Sequence, residues 1–413
     1  LRWVPARPVL QRVVEQIDDM LRLPLADSPF TEPFRRLPAG LPAARRDTLR
    51  QQGEAAIREQ VLPQVQRLRA LVVDELLPLA AAEGALAGYP DGEAVYALQV
   101  RHHTTTALAP REIHAIGLRE LDRIRGEMDQ VMREMKFSGD FSAFIRHLYT
   151  DPKYFHKGPR EILAAYRDIA KRVDGELPRL FTHLPRAPYG VRAMPDHYGE
   201  DYAEYYEGPD LEVTRAGWFN ANTLGFKKRP SWGMETTTAH EAVPGHHLQI
   251  AHAVEQGELP RFRRGGGFTV YSEGWAVYAE TLGFELSLYQ DPESRFGHLQ
   301  WQAVRAARLV VDTGLHALGW SRQRAIDYMI ERTGETPDVV SAEVDRYISW
   351  PGQALSYMIG KLRIAELRDA ARAAMGARFD IRQFHKVVLD QGSVPLPLLE
   401  AAVRQWMAAP RAA

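Results

Sequence analysis

The sequence predicts a mainly α-helical protein with one short β insertion, on three observations. Long stretches carry apolar residues at three- and four-residue intervals. Prolines sit where first helical turns tolerate them. A single segment, residues 185–233, breaks the pattern with dense Pro, Gly, Tyr and Asp. The 413 residues are 45% hydrophobic and 25% charged, which is ordinary for a globular chain that buries a substantial core.

The elements follow in order. Residues 45–87 read as amphipathic helix, rich in Ala, Leu, Arg and Glu. Residues 110–135 repeat the pattern, with Pro110 in the first turn and Ile113, Ile116 and Leu118 behind it. A further helix runs over 159–173. The β-prone GWFNANTL at 217–224 gives one or two short strands. Helical pattern returns at 234–256, 272–288, 296–318, 321–332, 337–348 and 353–375, with Thr336-Pro337 as an N-cap and first-turn proline. PLPLL at 395–399 opens a last short helix. There is no tandem repeat and no low-complexity tract. The change in character divides the chain into an N-terminal helical part, 1–185, and a second part, 186–413, which a single continuous domain could equally contain.

Net charge is −1, so the molecule as a whole has no electrostatic reason to seek nucleic acid or an anionic membrane. RFRR at 261–264 is short, and short charge runs are ordinarily solvated faces. No segment reaches the roughly 20 apolar residues of a membrane span. The chain has no cysteine, which excludes disulfides, thiol nucleophiles and Cys-ligated zinc; any metal must be held by His and carboxylate. It begins with leucine rather than methionine, which leaves the compartment open between the cytoplasm and export after loss of a leader. Oligomeric state is not legible.

The chemistry concentrates in HEAVPGHHLQ, residues 240–249. In H-E-x-x-H, histidines at i and i+4 share one helical face and converge on a single ion. Here Pro244 stands at i+4, and the next histidines are His246 and His247. Helical phase favours His247, two turns from His240. A Pro-Gly kink that absorbs two residues favours His246. Both remain open as the second ligand. Downstream, YSEGWAVYAE at 271–280 offers Ser272 as a helix cap and Glu273 as a third ligand at the head of the helix. Glu280, two turns on, is placed to orient a ligand imidazole. A catalytic Zn²⁺ with three such ligands keeps one position for water, and Glu241 is the general base.

Together with RAARLVVDTGLHALGW (305–320) and DRYISWPGQALSYMIG (345–360), these motifs resemble a large bacterial family of unknown function. That family is similar to the Glu-type zincin peptidases, whose mostly helical members include carboxypeptidase Taq, thimet-type oligopeptidases and angiotensin-converting enzyme. The resemblance runs from about residue 110 to the C-terminus. It implies a helical zincin-like metallopeptidase fold, one zinc ion, and a peptide or small amide as substrate. It also implies an edge strand before the metal helix that pairs with substrate, here residues 219–223 with Asn220 and Asn222. A late-helix tyrosine would stabilise the oxyanion, with Tyr347 the first candidate and Tyr357 the second.

Arg308, Asp312 and His316 recur every four residues and line one helical face. His316 is a candidate oxyanion donor or substrate ligand, Asp312 a candidate to orient a ligand histidine, and Arg308, Arg346 and Gln353 candidates for substrate binding. Arg346 and the cluster of Arg261, Arg263 and Arg264 are possible clamps for a peptide carboxylate. The expected activity is zinc-dependent hydrolysis of short peptides. Two alternatives stand beside it: a zinc hydrolase of a non-peptide amide or ester, and a non-catalytic helical binding protein with a vestigial site.

Overall fold

Helical periodicity becomes helix along most of the chain. The structure, a computed structural model, describes residues 3–82, 85–195, 198–200 and 202–409. It divides into two compact units, Leu1–Pro90 and Asp91–Ala413. The compositional change near residue 185 falls inside the second unit.

The first unit contains α1 (Arg7–Arg22), the single turn α2 (Glu32–Arg35), α3 (Ala43–Ala56) and α4 (Leu62–Ala70). The predicted continuous run over 45–87 is interrupted twice, by π-helical turns at Ile57–Val61 and Leu71–Leu76. Each lies just ahead of a proline, Pro63 or Pro78, which has no N–H to donate and crowds the preceding turn. A small core joins Leu10, Val13 and Val14 of α1 to Val72, Leu76 and Leu77.

The second unit opens with α5 (Gly92–Thr104), α6 (Pro110–Glu134), α7 (Phe141–Thr150) and α8 (Pro159–Asp174). Three strands follow: β1 (Tyr189–Ala193), β2 (Tyr205–Glu207) and β3 (Gly217–Ala221). Then come α9 (Met234–Glu241), α10 (His246–Glu255), the short α11 (Arg261–Arg264) and α12 (Thr269–Thr281). The chain continues through α13 (Pro292–Leu318), α14 (Arg322–Thr333), α15 (Pro337–Ser349) and α16 (Ser356–Met375). It ends with α17 (Ile381–Leu389) and α18 (Leu396–Ala408). Starts carry their signals: Asp140, Asp291 and Ser321 accept backbone N–H bonds at the heads of α7, α13 and α14. Gly319 and Gly334, at φ +66 and +70, end α13 and α14 in the left-handed conformation.

Two helix pairs form the centre. α13 is buried almost end to end and packs along α6, where Gly117 lets the backbones close over Leu309 and Val310. α12 packs along α16. There Gly274 and Gly360 meet backbone to backbone, and a Cβ on Gly274 would come within 2.5 Å of the Gly360 Cα. Among the described residues, no helix is long and apolar enough to cross a membrane.

The sheet has the order β1-β3-β2, with β1 parallel and β2 antiparallel to β3. β3 pairs Ala193 with Ala221 on one side and Tyr205 with Asn220 on the other. It is therefore the middle strand. Of the expected substrate-pairing edge at residues 219–223, Phe219 and Asn220 are paired on both sides and so do not form a free edge.

Candidate metal centre

Helix α9 stops at Glu241 and α10 starts at His246. Pro244 supplies no N–H, and Gly245 fits because a Cβ there would strike the carbonyls of His240 and Ala239. The detour is fastened by Trp275, whose Nε1–H donates to the Pro244 carbonyl at 2.9 Å. The chain re-enters helix with His246 beside His240, their ring centroids 4.8 Å apart and nearly perpendicular. His247 faces the opposite way. Its Nδ1 shares a 2.7 Å hydrogen bond with the Tyr206 hydroxyl, its ring lies 4.5 Å from that of Tyr189, and burial lowers its pKa to about 4. Of the two readings of the motif, the structure brings His246 to His240 and holds His247 against the sheet.

Glu273 comes from α12. The helix begins at Thr269 with Phe268 at its N-cap, so Ser272 lies within the first turn rather than capping it. Glu273 is consequently inside the helix, one turn beyond the expected position. Its Oε2 lies 3.4 Å from Nε2 of both His240 and His246. One ligand-capable atom from each residue falls within 4.8 Å of the others, and no other such group occurs among the described residues. Four ligands at ~2.1 Å around a tetrahedral ion stand about 3.4 Å apart. The Glu273 Oε2 is buried and makes no hydrogen bond. Burial opposes charge on Glu273, but the His246 and His240 imidazoles more than offset it, holding the carboxyl well below its usual range. The donor set and its spacing fit a zinc ion.

The surroundings orient these groups. His240 Nδ1–H donates to Glu280 Oε1 at 2.8 Å, which leaves Nε2 toward Glu273. Glu280 is fully buried, accepts from Gln302 Nε2 at 2.8 Å, and has Arg305 Nη2 3.5 Å away. Glu241 follows His240 at the end of α9, and burial pushes its carboxyl up to about 8. Tyr357 on α16 stacks parallel to His240 at 6.4 Å, and burial, with the Glu273 charge second, raises the pKa of its hydroxyl.

Other expected site residues lie elsewhere. Tyr347 donates to Glu343 at 2.5 Å and accepts from Arg308 Nε at 3.0 Å, so the first oxyanion candidate is engaged and the second, Tyr357, stands by the cluster. His316 is a core histidine: its Nε2 bonds the Tyr347 carbonyl at 3.0 Å, and burial lowers its pKa to about 4. Asp312 orients no ligand histidine; it accepts from the Tyr96 hydroxyl at 2.5 Å and the Gly352 N–H at 3.1 Å. Arg346 is taken up by Glu343 and by Gln353 Oε1 at 2.6 Å.

Asn220 is buried, accepting from Arg192 Nε at 2.7 Å, and Asn222 donates to the carbonyls of Gly199, Glu200 and Tyr202. Neither presents an amide to a peptide. Arg263 donates to the Gln391 carbonyl and Arg264 to those of Val254 and Leu211, while Arg261 is exposed, 3.8 Å from Glu212. Sequence reasoning missed Arg305, Gln302 and Glu343. Arg305 was within reach, since it precedes Arg308 by one turn on the same helix.

Residues 2–403 match a family described as bacterial protein of unknown function, DUF885. The chain belongs to DUF885. A solved structure similar to this DUF885 chain is described as a candidate lipoprotein from Colwellia psychrerythraea. It superposes with a TM-score of 0.94 at 33% identity, covering 98% of this chain and 71% of that one. A candidate lipoprotein of unknown function from Shewanella oneidensis shares the fold, with a TM-score of 0.70 at 18% identity, covering 97% of this chain and 73% of its own. No curated protein matches the chain.

Proposed function

We propose that this DUF885 protein is a zinc-dependent hydrolase of short peptides built on a helical zincin-like fold. The reading is carried by the convergence of His240, His246 and Glu273 to within 4.8 Å, two of their separations being 3.4 Å. These three residues would hold the ion. A zinc ion supplies Lewis acidity there and lowers the pKa of water toward neutrality. Glu280 fixes the His240 tautomer by accepting its Nδ1–H. Glu241 would take the proton of the attacking water as the C–O bond forms and charge moves onto the carbonyl oxygen, and would return it to the amine nitrogen as the C–N bond then breaks. Tyr357 donates its hydroxyl proton in a hydrogen bond to the carbonyl oxygen as that oxygen gains charge. The description of the Colwellia relative as a candidate lipoprotein supports an exported location for this chain too.

The test is metal content with turnover. Protein purified without added zinc is expected to carry about one equivalent and to hydrolyse short peptides. Glu241→Gln is expected to lose about 10²–10⁴-fold in kcat while retaining the metal. Less than half an equivalent, with no thermal stabilisation on adding zinc, would favour the non-catalytic binding protein.

A further inference from the structure

Three buried guanidinium nitrogens close to the cluster have nothing to bond: Nε and Nη1 of Arg305, and Nη1 of Arg308. Both residues are 6% exposed. Buried donors are nearly always paired, and leaving a charged one unmet is costly, so three together call for a partner. The contacts these residues do make show where that partner must sit. Arg305 lies over Trp301, its Cζ 4.5 Å from the ring centroid, and 5.6 Å from the Tyr357 ring. Arg308 Cζ is 4.4 Å from that same Tyr357 ring, which is itself parallel to the His240 imidazole at 6.4 Å. The unmet donors and the metal-ligating histidine therefore flank one phenol.

The charges do not balance. Glu343 serves Arg308 and Arg346 together, at 2.8 Å and 3.1 Å. Glu280 is shared by His240, Gln302 and Arg305. Two carboxylates thus face three guanidiniums, while Glu241 and Glu273 belong to the metal. One positive charge is left over, which suits a monoanion. The third guanidinium of this group, that of Arg346, is committed to Glu343 and Gln353.

We infer that Arg305 and Arg308 form a subsite for a substrate carboxylate lying within about two residues of the cleaved bond. An extended chain advances ~3.4 Å per residue, so the span across Tyr357, less the contact distances at its two ends, is the length of about two residues. The carboxylate has two chemical sources, a peptide C-terminus or an acidic side chain. Calling it a substrate group rests on the peptidase reading; the anion subsite itself does not.

The experiment compares three probes: Ala-Ala-Ala, its C-terminal amide, and Ala-Ala-Asp amide. Each is measured for kcat/KM on the zinc-loaded protein and for affinity by calorimetry on the chelator-treated protein. The free acid is expected to exceed the Ala-Ala-Ala amide by roughly 10- to 100-fold in both readouts. Advantage confined to the free acid assigns the C-terminal carboxylate, and advantage shared by the Asp amide assigns the side chain as well. Equal behaviour of all three probes overturns the subsite. Arg305→Gln is expected to shrink the acid-to-amide ratio to within about threefold; a folded variant that keeps the full ratio overturns the assignment to this residue. Should that variant not fold, the wild-type comparison decides alone. If no probe is hydrolysed, the peptidase reading fails while calorimetry still reads the subsite.

Discussion

Helix α13 carries two polar stretches that differ in one respect. Asp312 and His316 are fully buried and bonded within the fold, to Tyr96, to the Gly352 backbone and to the Tyr347 carbonyl. Gln302, Arg305 and Arg308, about one to four turns earlier, are almost as buried, yet Gln302 Oε1 and three guanidinium nitrogens lack partners. The same helix and the same residue chemistry produce a closed end and an open end. At the closed end the polar groups are bonded within the fold, while the open end, near the His240–His246–Glu273 cluster, has donors without partners. Burial alone therefore does not distinguish the two stretches; the satisfaction of their hydrogen bonds does.

The two tyrosines of this region give the sharpest test. Tyr357→Phe is expected to lower peptide turnover by about 10²–10³-fold with KM little changed, since the hydroxyl beside the cluster is the proposed oxyanion donor. Tyr347→Phe removes the bonds to Glu343 and Arg308 and is expected to lower thermal stability with a much smaller loss of turnover. Equal losses of turnover in steady-state assays would erase the distinction between the two ends.

The next effect concerns metal affinity. Glu280→Gln is expected to weaken zinc binding about 10- to 100-fold in chelator competition, because the His240 Nδ1–H loses its carboxylate. Asp312→Asn is expected to leave zinc affinity alone, and a matching loss there would contradict its purely structural place.

Smallest in its bearing on activity is a pH effect on stability. Burial pushes the Asp312 carboxyl from its ordinary 3.8 up to about 7. The folded state therefore binds the proton more tightly than the unfolded chain does. Stability from this group is present below pH 4 and is lost as pH rises to about 7, at about 1.4 kcal/mol per unit. Asp312→Asn keeps an acceptor for Tyr96 and Gly352 and is expected to remove that slope in denaturant titrations. An unchanged slope would show that Asp312 is ionised in the fold.

Much of the helical content was legible, because amphipathic spacing and first-turn prolines act locally: α6 and α8 begin at the prolines that predicted them. The π-helical turns near Pro63 and Pro78 were not, since the pattern of apolar residues runs on through them. At the metal centre the residue types could be read in sequence, but the choice between His246 and His247 could not. It depends on how the chain bends at Pro244-Gly245, and that bend is held by Trp275, 31 residues away. β3 read as a strand but not as a middle strand, since neighbours in a sheet are fixed by tertiary pairing. Arg308, Asp312 and His316 shared a face as their spacing required. Which of them had partners was settled by Tyr96, Tyr347 and Glu343, at long range in the chain.

The crossing of Gly274 and Gly360 has a mechanical corollary. Glu273 adjoins one glycine, and Tyr357 lies three residues before the other. With no side chain between the two backbones, parting these helices would break direct van der Waals contact at the crossing. Carboxylate and phenol therefore travel as one jaw. Any motion that admits a bulky guest and later clamps it must come from parts of the wall outside that seam.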